Sequence, residues 1–180
     1  MMQEIEVIRQ ILEGDIESFR LLLERYKRPI IRMIKNITDN KESCEDIAQD
    51  VFLAAYKKLA SFDPARSNFS TWLFTIARNK SINELKKKKT ASMNGLPEKP
   101  EPHDPFDEIA QKEFFDQLDQ ALQMLPPRQK RAFVLAEFEE LSYAEIAQIE
   151  GIRIGTVKSR INRVKKKLRL ALKNLEGDIL

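Results

Sequence analysis

The residues of this chain that could do chemistry are cations and amides rather than nucleophiles. Lys158, Arg160, Arg163, Lys165, Lys166, Lys167 and Arg169 crowd one short stretch, and Arg78, Asn79, Lys80, Asn83 and Lys86 to Lys89 follow an aromatic pair, Phe69 and Trp72, in another. Cations and amides of this kind neutralise phosphates and reach base edges; aromatic faces beside them stack unpaired bases at about 1–3 kcal/mol each. Bond-making chemistry has little to work with. The one histidine, His103, stands among prolines without orienting partners, and the chain has one cysteine and five glycines. No H-E-x-x-H, phosphate-cradling glycine loop, cysteine pair or plausible triad occurs. The reading is of a nucleic-acid-binding protein without a metal, a cofactor or a small-molecule substrate.

The first of these stretches must be carried by a helix-turn-helix. Ser142 and Glu145 have the S-x-x-E spacing in which hydroxyl and carboxylate satisfy the free amides opening a helix, so a short helix is predicted to begin at Tyr143. Gly151 supplies the positive φ of a tight turn. Beyond it Val157, Ile161, Val164 and Leu168 recur at helical spacing and predict a second helix. A cationic helix about 10–12 Å wide fits the ~12 Å major groove of duplex DNA.

The 180 residues carry a formal net charge of only +3, but its distribution is uneven. Residues 65–89 hold seven basic and one acidic residue, 97–120 two and eight, and 151–180 nine and two. Local clusters set affinity for phosphate, so two polyanion-contacting surfaces are expected. A lone cysteine, Cys44, excludes an internal disulfide and suits a reducing cytosol. The N-terminus lacks the basic lead-in of a signal peptide, and no apolar run approaches the ~18–20 residues that span a bilayer. A cytoplasmic protein with no membrane insertion is expected.

The remaining periodicity is helical throughout. Ile8, Ile11 and Leu12, then Phe19, Leu22, Leu23, Tyr26, Ile30, Ile31 and Ile34, predict two helices broken at Gly14 and Asp15, with Pro29 expected to kink or divide the second. Ser43 is expected to cap a third helix running to about Ala60. It has an inward stripe of Ile47, Val51, Ala54, Ala55 and Leu59, and an outward one of Asp46, Gln49, Asp50, Leu53 and Lys57 able to dock a basic partner helix. Phe62 to Phe69 reads as a loop built on Asp63-Pro64, after which Ser70 or Thr71 caps a helix with Trp72, Leu73, Ile76, Ala77, Ile82 and Leu85 inward. Residues 90–106, proline-rich and aperiodic, read as a tether. A helix capped by Asp107 and a next one opening at Leu125-Pro126-Pro127 lead into the helix-turn-helix. The expected fold is all-α: two small helical domains, 1–89 and 107–180, joined by a flexible linker.

Taken together, the motifs resemble those of a bacterial RNA polymerase sigma factor of the extracytoplasmic-function type. Asp46-Ile47-Ala48-Gln49-Asp50-Val51-Phe52 resembles the helix that grips the clamp coiled coil of the polymerase large subunit. Phe69-Ser70-Thr71-Trp72-Leu73 with Ile76-Ala77-Arg78-Asn79 resembles the segment that opens and reads the minus-ten promoter element. Leu125-Pro126-Pro127-Arg128-Gln129, Leu141 to Ala147 and Gly155-Thr156-Val157-Lys158-Ser159-Arg160 resemble the domain that binds the minus-thirty-five element. The three match in order over about residues 8 to 170.

This resemblance implies tasks for each block. Asp46, Gln49, Asp50, Phe52, Leu53 and Lys57 would bind core polymerase. The loop from Arg66 to Phe69, with Asn68, Ser70 and Thr71, would hold a base flipped from the nontemplate strand, and Arg78, Asn79, Lys80 and Asn83 would follow that strand. Lys158, Ser159 and Asn162 would reach base edges in duplex DNA. Arg153, Arg160, Arg163 and Lys165 would hold phosphates, with Thr156 at the same surface. On this reading Lys158→Ala relaxes sequence preference whereas Lys165→Ala weakens all sites alike. An anti-sigma partner is a further expectation. Two positions depart from the family pattern: Glu150 stands where an apolar residue usually closes the first helix of the motif, and Arg153 where proline is frequent. The rival readings are a stand-alone helix-turn-helix regulator, which leaves the Asp46 to Phe52 helix without a role, and a nucleic-acid-processing enzyme, which lacks a catalytic constellation.

Overall fold

A computed structural model describes residues 2–38, 44–91, 121–122 and 124–172, and among these every regular element is helical. In chain order they are α1 (Met2–Leu12), α2 (Phe19–Thr38), α3 (Cys44–Lys58), α4 (Phe69–Ala91), α5 (Pro127–Glu137), α6 (Tyr143–Glu150) and α7 (Ile154–Leu172), with short 3-10 turns at Ile16–Ser18 and Leu59–Ser61. The Ser43 cap, the helix from Asp107, His103 and most of the expected tether lie outside the described residues. Within them α4 extends to Ala91, past the expected boundary at residue 89.

The first half is built by α2, α3 and α4 packing on one another. Ile30, Met33 and Ile34 of α2, Val51 and Ala55 of α3, and Leu73, Phe74 and Ala77 of α4 are all buried. Each large apolar side chain so buried contributes about 1.5–3 kcal/mol. Pro29 does not divide α2, which runs unbroken from Phe19 to Thr38. Proline removes one backbone donor, but Tyr26, Ile30, Met33 and Ile34 on either side drop into the core, and that burial holds the helix together. Helix α1 is pinned by a buried carboxylate: the Tyr26 hydroxyl donates to Glu4, which also lies 3.3 Å from Arg25. Burial, then the Glu4 contact, pushes the Tyr26 phenol above its ordinary pKa.

The second half is the expected helix-turn-helix. Ser142 and Glu145 form the reciprocal capping box, and Gly151 adopts φ 64° at the end of α6. The Gly151 amide donates to Gln148 and the Ile152 amide to Ala147, closing the helix in a left-handed cap that only glycine adopts without strain. Val157, Ile161, Val164 and Leu168 are buried along α7, as their spacing predicts. The two halves do not stand apart. Helix α6 packs on α4 and α5 packs on α2, and one apolar core runs from Ile8 through Phe74 to Ile146 and Ile161.

Candidate nucleic-acid interface

The loop ahead of α4 is set by Asp63. Its side chain accepts from the Ala65 amide at 2.9 Å and its carbonyl from the Arg66 amide at 3.1 Å, the double contact of a side-chain-closed turn. Helix α4 then opens earlier than expected: the Trp72 amide donates to the Asn68 carbonyl, which puts Asn68 rather than Ser70 or Thr71 at the cap position. Its side chain is free for another task.

The loop residues separate by direction. Arg66 and Asn68 are exposed and Ser70 is half-buried. Phe69, expected in a base pocket, is instead only 3% exposed, wedged between Tyr26, Phe62 and Trp72 at ring separations of 5.6 to 5.7 Å. An aromatic held on all sides has no face left for a base, so Phe69 is core. Thr71 is likewise fully buried. Further along α4, Arg78 is half-buried, Asn79 and Asn83 are exposed, and Lys80 lies 3.3 Å from Asp50 of α3, lining a small polar cleft with Asn83 and Glu84.

On α3 the outward stripe is as the spacing predicts: Asp46, Gln49, Asp50, Leu53 and Lys57 are exposed. Phe52 differs, being 6% exposed, because it turns toward α2 and shows only an edge. That edge lines an apolar groove of about 530 Å³ between α2 and α3, with Phe19, Leu23, Ile31, Ala48, Leu53 and Tyr56 as walls and Glu17, Arg20, Lys27, Glu45 and Gln49 at its rim. The groove was not legible beforehand, since its walls come from two helices.

Arg153, just ahead of α7, and Thr156, Lys158, Ser159, Asn162 and Arg163 on it are exposed. The Ser159 hydroxyl donates to the Thr156 carbonyl at 3.0 Å, and Lys165 pairs with Glu137 at 2.8 Å. Arg160 departs from the group and turns inward to lie 3.6 Å from Glu150. Burial lowers its pKa, Glu150 opposes that shift, and the guanidiniums of Arg128, Arg131 and Arg78 add to it.

Two carboxylates lie where the halves meet: Glu145, expected only to cap α6, and Glu150, for which the spacing offered no partner. Glu145 Oε1 accepts from Asn68 Nδ2 at 2.8 Å and from Thr71 Oγ1 at 3.2 Å, while its Oε2 keeps the capping contacts to Ser142. Burial by itself would raise this carboxyl, but the hydrogen bonds from Ser142, Asn68 and Thr71 outweigh it and hold the pKa below its ordinary value. Glu150 is 4% exposed and takes a bidentate contact from Arg131 at 2.9 and 2.8 Å, with Arg78 Nε 3.7 Å away. The departure noted at position 150 was the only sequence signal for this cluster. Its neighbour Ile149 supplies the apolar packing, being 1% exposed.

Comparison with known proteins agrees with this architecture. The family model "Sigma-70 region 2" matches residues 22–90 and "Sigma-70, region 4" matches residues 115–168. The chain is 34% identical to the ECF RNA polymerase sigma factor SigW of Bacillus subtilis, over 93% of this chain and 96% of that protein. It is 30% identical to the RNA polymerase sigma-H factor of Pseudomonas aeruginosa, over 96% and 95%. Among solved structures, the sigma factor RpoE of Bartonella quintana, in complex with the anti-sigma factor NepR, is similar with a TM-score of 0.72 and 28% identity over 87% of this chain and 98% of that one. With two region matches in the expected order and full-length likeness above 30%, the chain belongs to the ECF sigma factors of the sigma-70 family, which bind core RNA polymerase and direct promoter-specific transcription.

Proposed function

We propose that the three surfaces divide promoter recognition as follows. The exposed face of α7 reads the minus-thirty-five duplex through Lys158, Ser159 and Asn162 and holds phosphates through Arg153 and Arg163. Asn68 and Arg66, with Arg78, Asn79, Lys80 and Asn83 on α4, hold the unpaired minus-ten strand. Asp46, Gln49, Asp50, Leu53 and Lys57 on α3 dock the polymerase clamp helices, with the adjacent groove taking an apolar side chain. Residues 1–89 and 107–180 act as the two recognition domains and 90–106 as their connection. The observation that carries this reading is α7, where four buried apolar residues fix the helix and leave its cationic and amide face in solvent. Run-off transcription from a promoter library, with core enzyme plus this chain, tests it; no promoter-dependent product would sink it.

The polymerase supplies the reaction and this chain supplies none. No described helix is long and apolar enough to cross a membrane, which is compatible with action in the cytoplasm. Likeness to a sigma factor held by an anti-sigma factor supports a similar inhibitor here.

Two contrasts follow from the geometry. Lys158→Ala should cost about 1–3 kcal/mol of discrimination at a single base pair, whereas Arg163→Ala should weaken all duplexes alike and reduce the salt slope by about 1. Arg163 is the better phosphate probe than Lys165, which is paired with Glu137. Anisotropy titrations over single-base variants and three salt concentrations separate the two effects. Leu53→Glu places a charge at the mouth of the apolar groove and should weaken core polymerase binding by at least about 2 kcal/mol, roughly 30-fold, with duplex binding unchanged. Unchanged polymerase affinity in a pull-down titration would remove α3 from the dock.

A further inference from the structure

We propose that α1 is a positioning element for the minus-ten contacts: Glu4 holds the Tyr26 hydroxyl, Tyr26 braces Phe69, and the loop ending at Phe69 thereby presents Asn68 and Arg66 to the unpaired strand. This role rests on the minus-ten reading of those two residues given above. Helix α1 lies ahead of residues 22–90, the span matched by the region 2 model.

The path from α1 to the loop is short and continuous. Glu4 is 8% exposed and Tyr26 7%, and the Tyr26 hydroxyl donates to Glu4 across 22 positions of sequence. Tyr26 meets Phe69 edge-on with ring centres 5.6 Å apart, and Phe69 meets Phe62, where the loop begins, at the same separation. Both ends of the loop are therefore held in one aromatic cluster with Tyr26 beside it. Asn68 immediately precedes Phe69. Helix α1 also packs on the turn Leu59–Ser61 that leads into the loop, so it supports the loop from its start as well as its end.

Folding alone does not call for an acid at position 4. A buried carboxylate gives up its hydration, and an apolar side chain of similar size would pack there without that cost. What the carboxylate adds is direction. A ring held only by apolar contacts can tilt, whereas a charge-assisted hydrogen bond fixes its hydroxyl end. Arg25, 3.3 Å from Glu4, balances the acid from its exposed side. Burial, then the Glu4 contact, keeps the phenol protonated and above its ordinary pKa, against the opposing pull of Arg25 and a hydrogen bond from Ser70. Tyr26 is thus a donor to α1 and an acceptor from the residue that follows Phe69. Flipping a base out of the duplex costs a few kcal/mol, and contacts offset that cost only when their supports hold them in the productive geometry. A loop free to shift loses capture of the base before it loses its fold.

The test uses the full chain with core polymerase on a promoter recovered from the run-off library. Tyr26→Phe keeps the ring and removes the hydroxyl, Glu4→Ala removes the acceptor and leaves the aromatic cluster whole, and Glu4→Gln keeps an acceptor. Permanganate reactivity, followed in time at rising holoenzyme concentration, separates the opening step from promoter binding. Tyr26→Phe and Glu4→Ala should each slow opening about tenfold, the worth of a hydrogen bond to a charged group, with the half-saturating concentration unchanged. The double variant should be no slower than either single one, because both remove the same bond. Glu4→Gln should stay within about threefold of the parent. Affinities for core polymerase and for the minus-thirty-five duplex should equal those of the parent in all of them. Opening at the parent's rate in Tyr26→Phe and Glu4→Ala overturns the positioning role. So do losses of polymerase binding, duplex binding and opening that run in parallel with the unfolded fraction measured in urea. Failure of the underlying minus-ten reading shows separately, as normal opening by Asn68→Ala.

Discussion

Glu150→Ala should lower the folding stability of this protein by about 3–5 kcal/mol, the usual cost of removing one partner from a buried ion pair. The side chain of Glu150 is 2% exposed and that of Arg131 8%, so the arginine left behind has neither water nor another acceptor. Arg78 and Arg160 are more open, with side chains 25% and 15% exposed, and can turn toward solvent. The loss therefore falls chiefly on Arg131. Glu150→Gln keeps the shape and one acceptor oxygen and should cost less. The double variant Glu150→Leu with Arg131→Met should recover most of the loss, because well-packed apolar residues commonly replace a buried pair without penalty. Urea denaturation followed by circular dichroism measures all three. A Glu150→Ala midpoint equal to that of the parent would show that the cluster is solvated in solution.

Phe69→Ala should be comparably damaging, at about 3–5 kcal/mol, because it empties a site enclosed by Tyr26, Phe62 and Trp72. Its neighbour Asn68 is exposed and makes one side-chain hydrogen bond, so Asn68→Ala should cost no more than about 0.5–1.5 kcal/mol. The functional order is the reverse at the level of direct contact. Asn68→Ala should form the closed complex and fail to open it, whereas Phe69→Ala should lose opening only in proportion to the unfolded fraction. Trp72, the single tryptophan, packs against Phe69 and reports the cavity by its fluorescence. Permanganate footprinting of the open complex, set beside denaturation midpoints, separates the two roles. A stable Phe69→Ala protein that cannot open DNA would return Phe69 to the base pocket.

These two residues also mark the limit of reading by spacing. Asn68 and Phe69 are adjacent in the same motif and look equally available. In the fold one faces outward and the other is enclosed, because α4 opens at Asn68 and its first turn carries Phe69 against α2. Phe52, assigned to the polymerase surface by the resemblance alone, shows the same effect beside an outward stripe that the spacing placed in solvent. Aromatic residues bordering a polar stripe have surface enough to belong to either side, and the neighbouring helix decides.

What the sequence determined by itself was local. The Ser142 to Glu145 box, the Gly151 turn, the apolar stripes of α2, α3 and α7 and the segregation of charge depend on residues a few positions apart, and they set helices, their ends and their buried faces. The tertiary structure alone decided which faces meet. The hydrogen bonds from Asn68 and Thr71 to Glu145 join residues 77 and 74 positions apart, and the charges of Arg78, Arg131 and Arg160 converge on Glu150 from three helices. No periodicity encodes such pairings. They arise because apolar faces of the two halves bury against each other, and the polar groups carried to that seam must then find partners out of water.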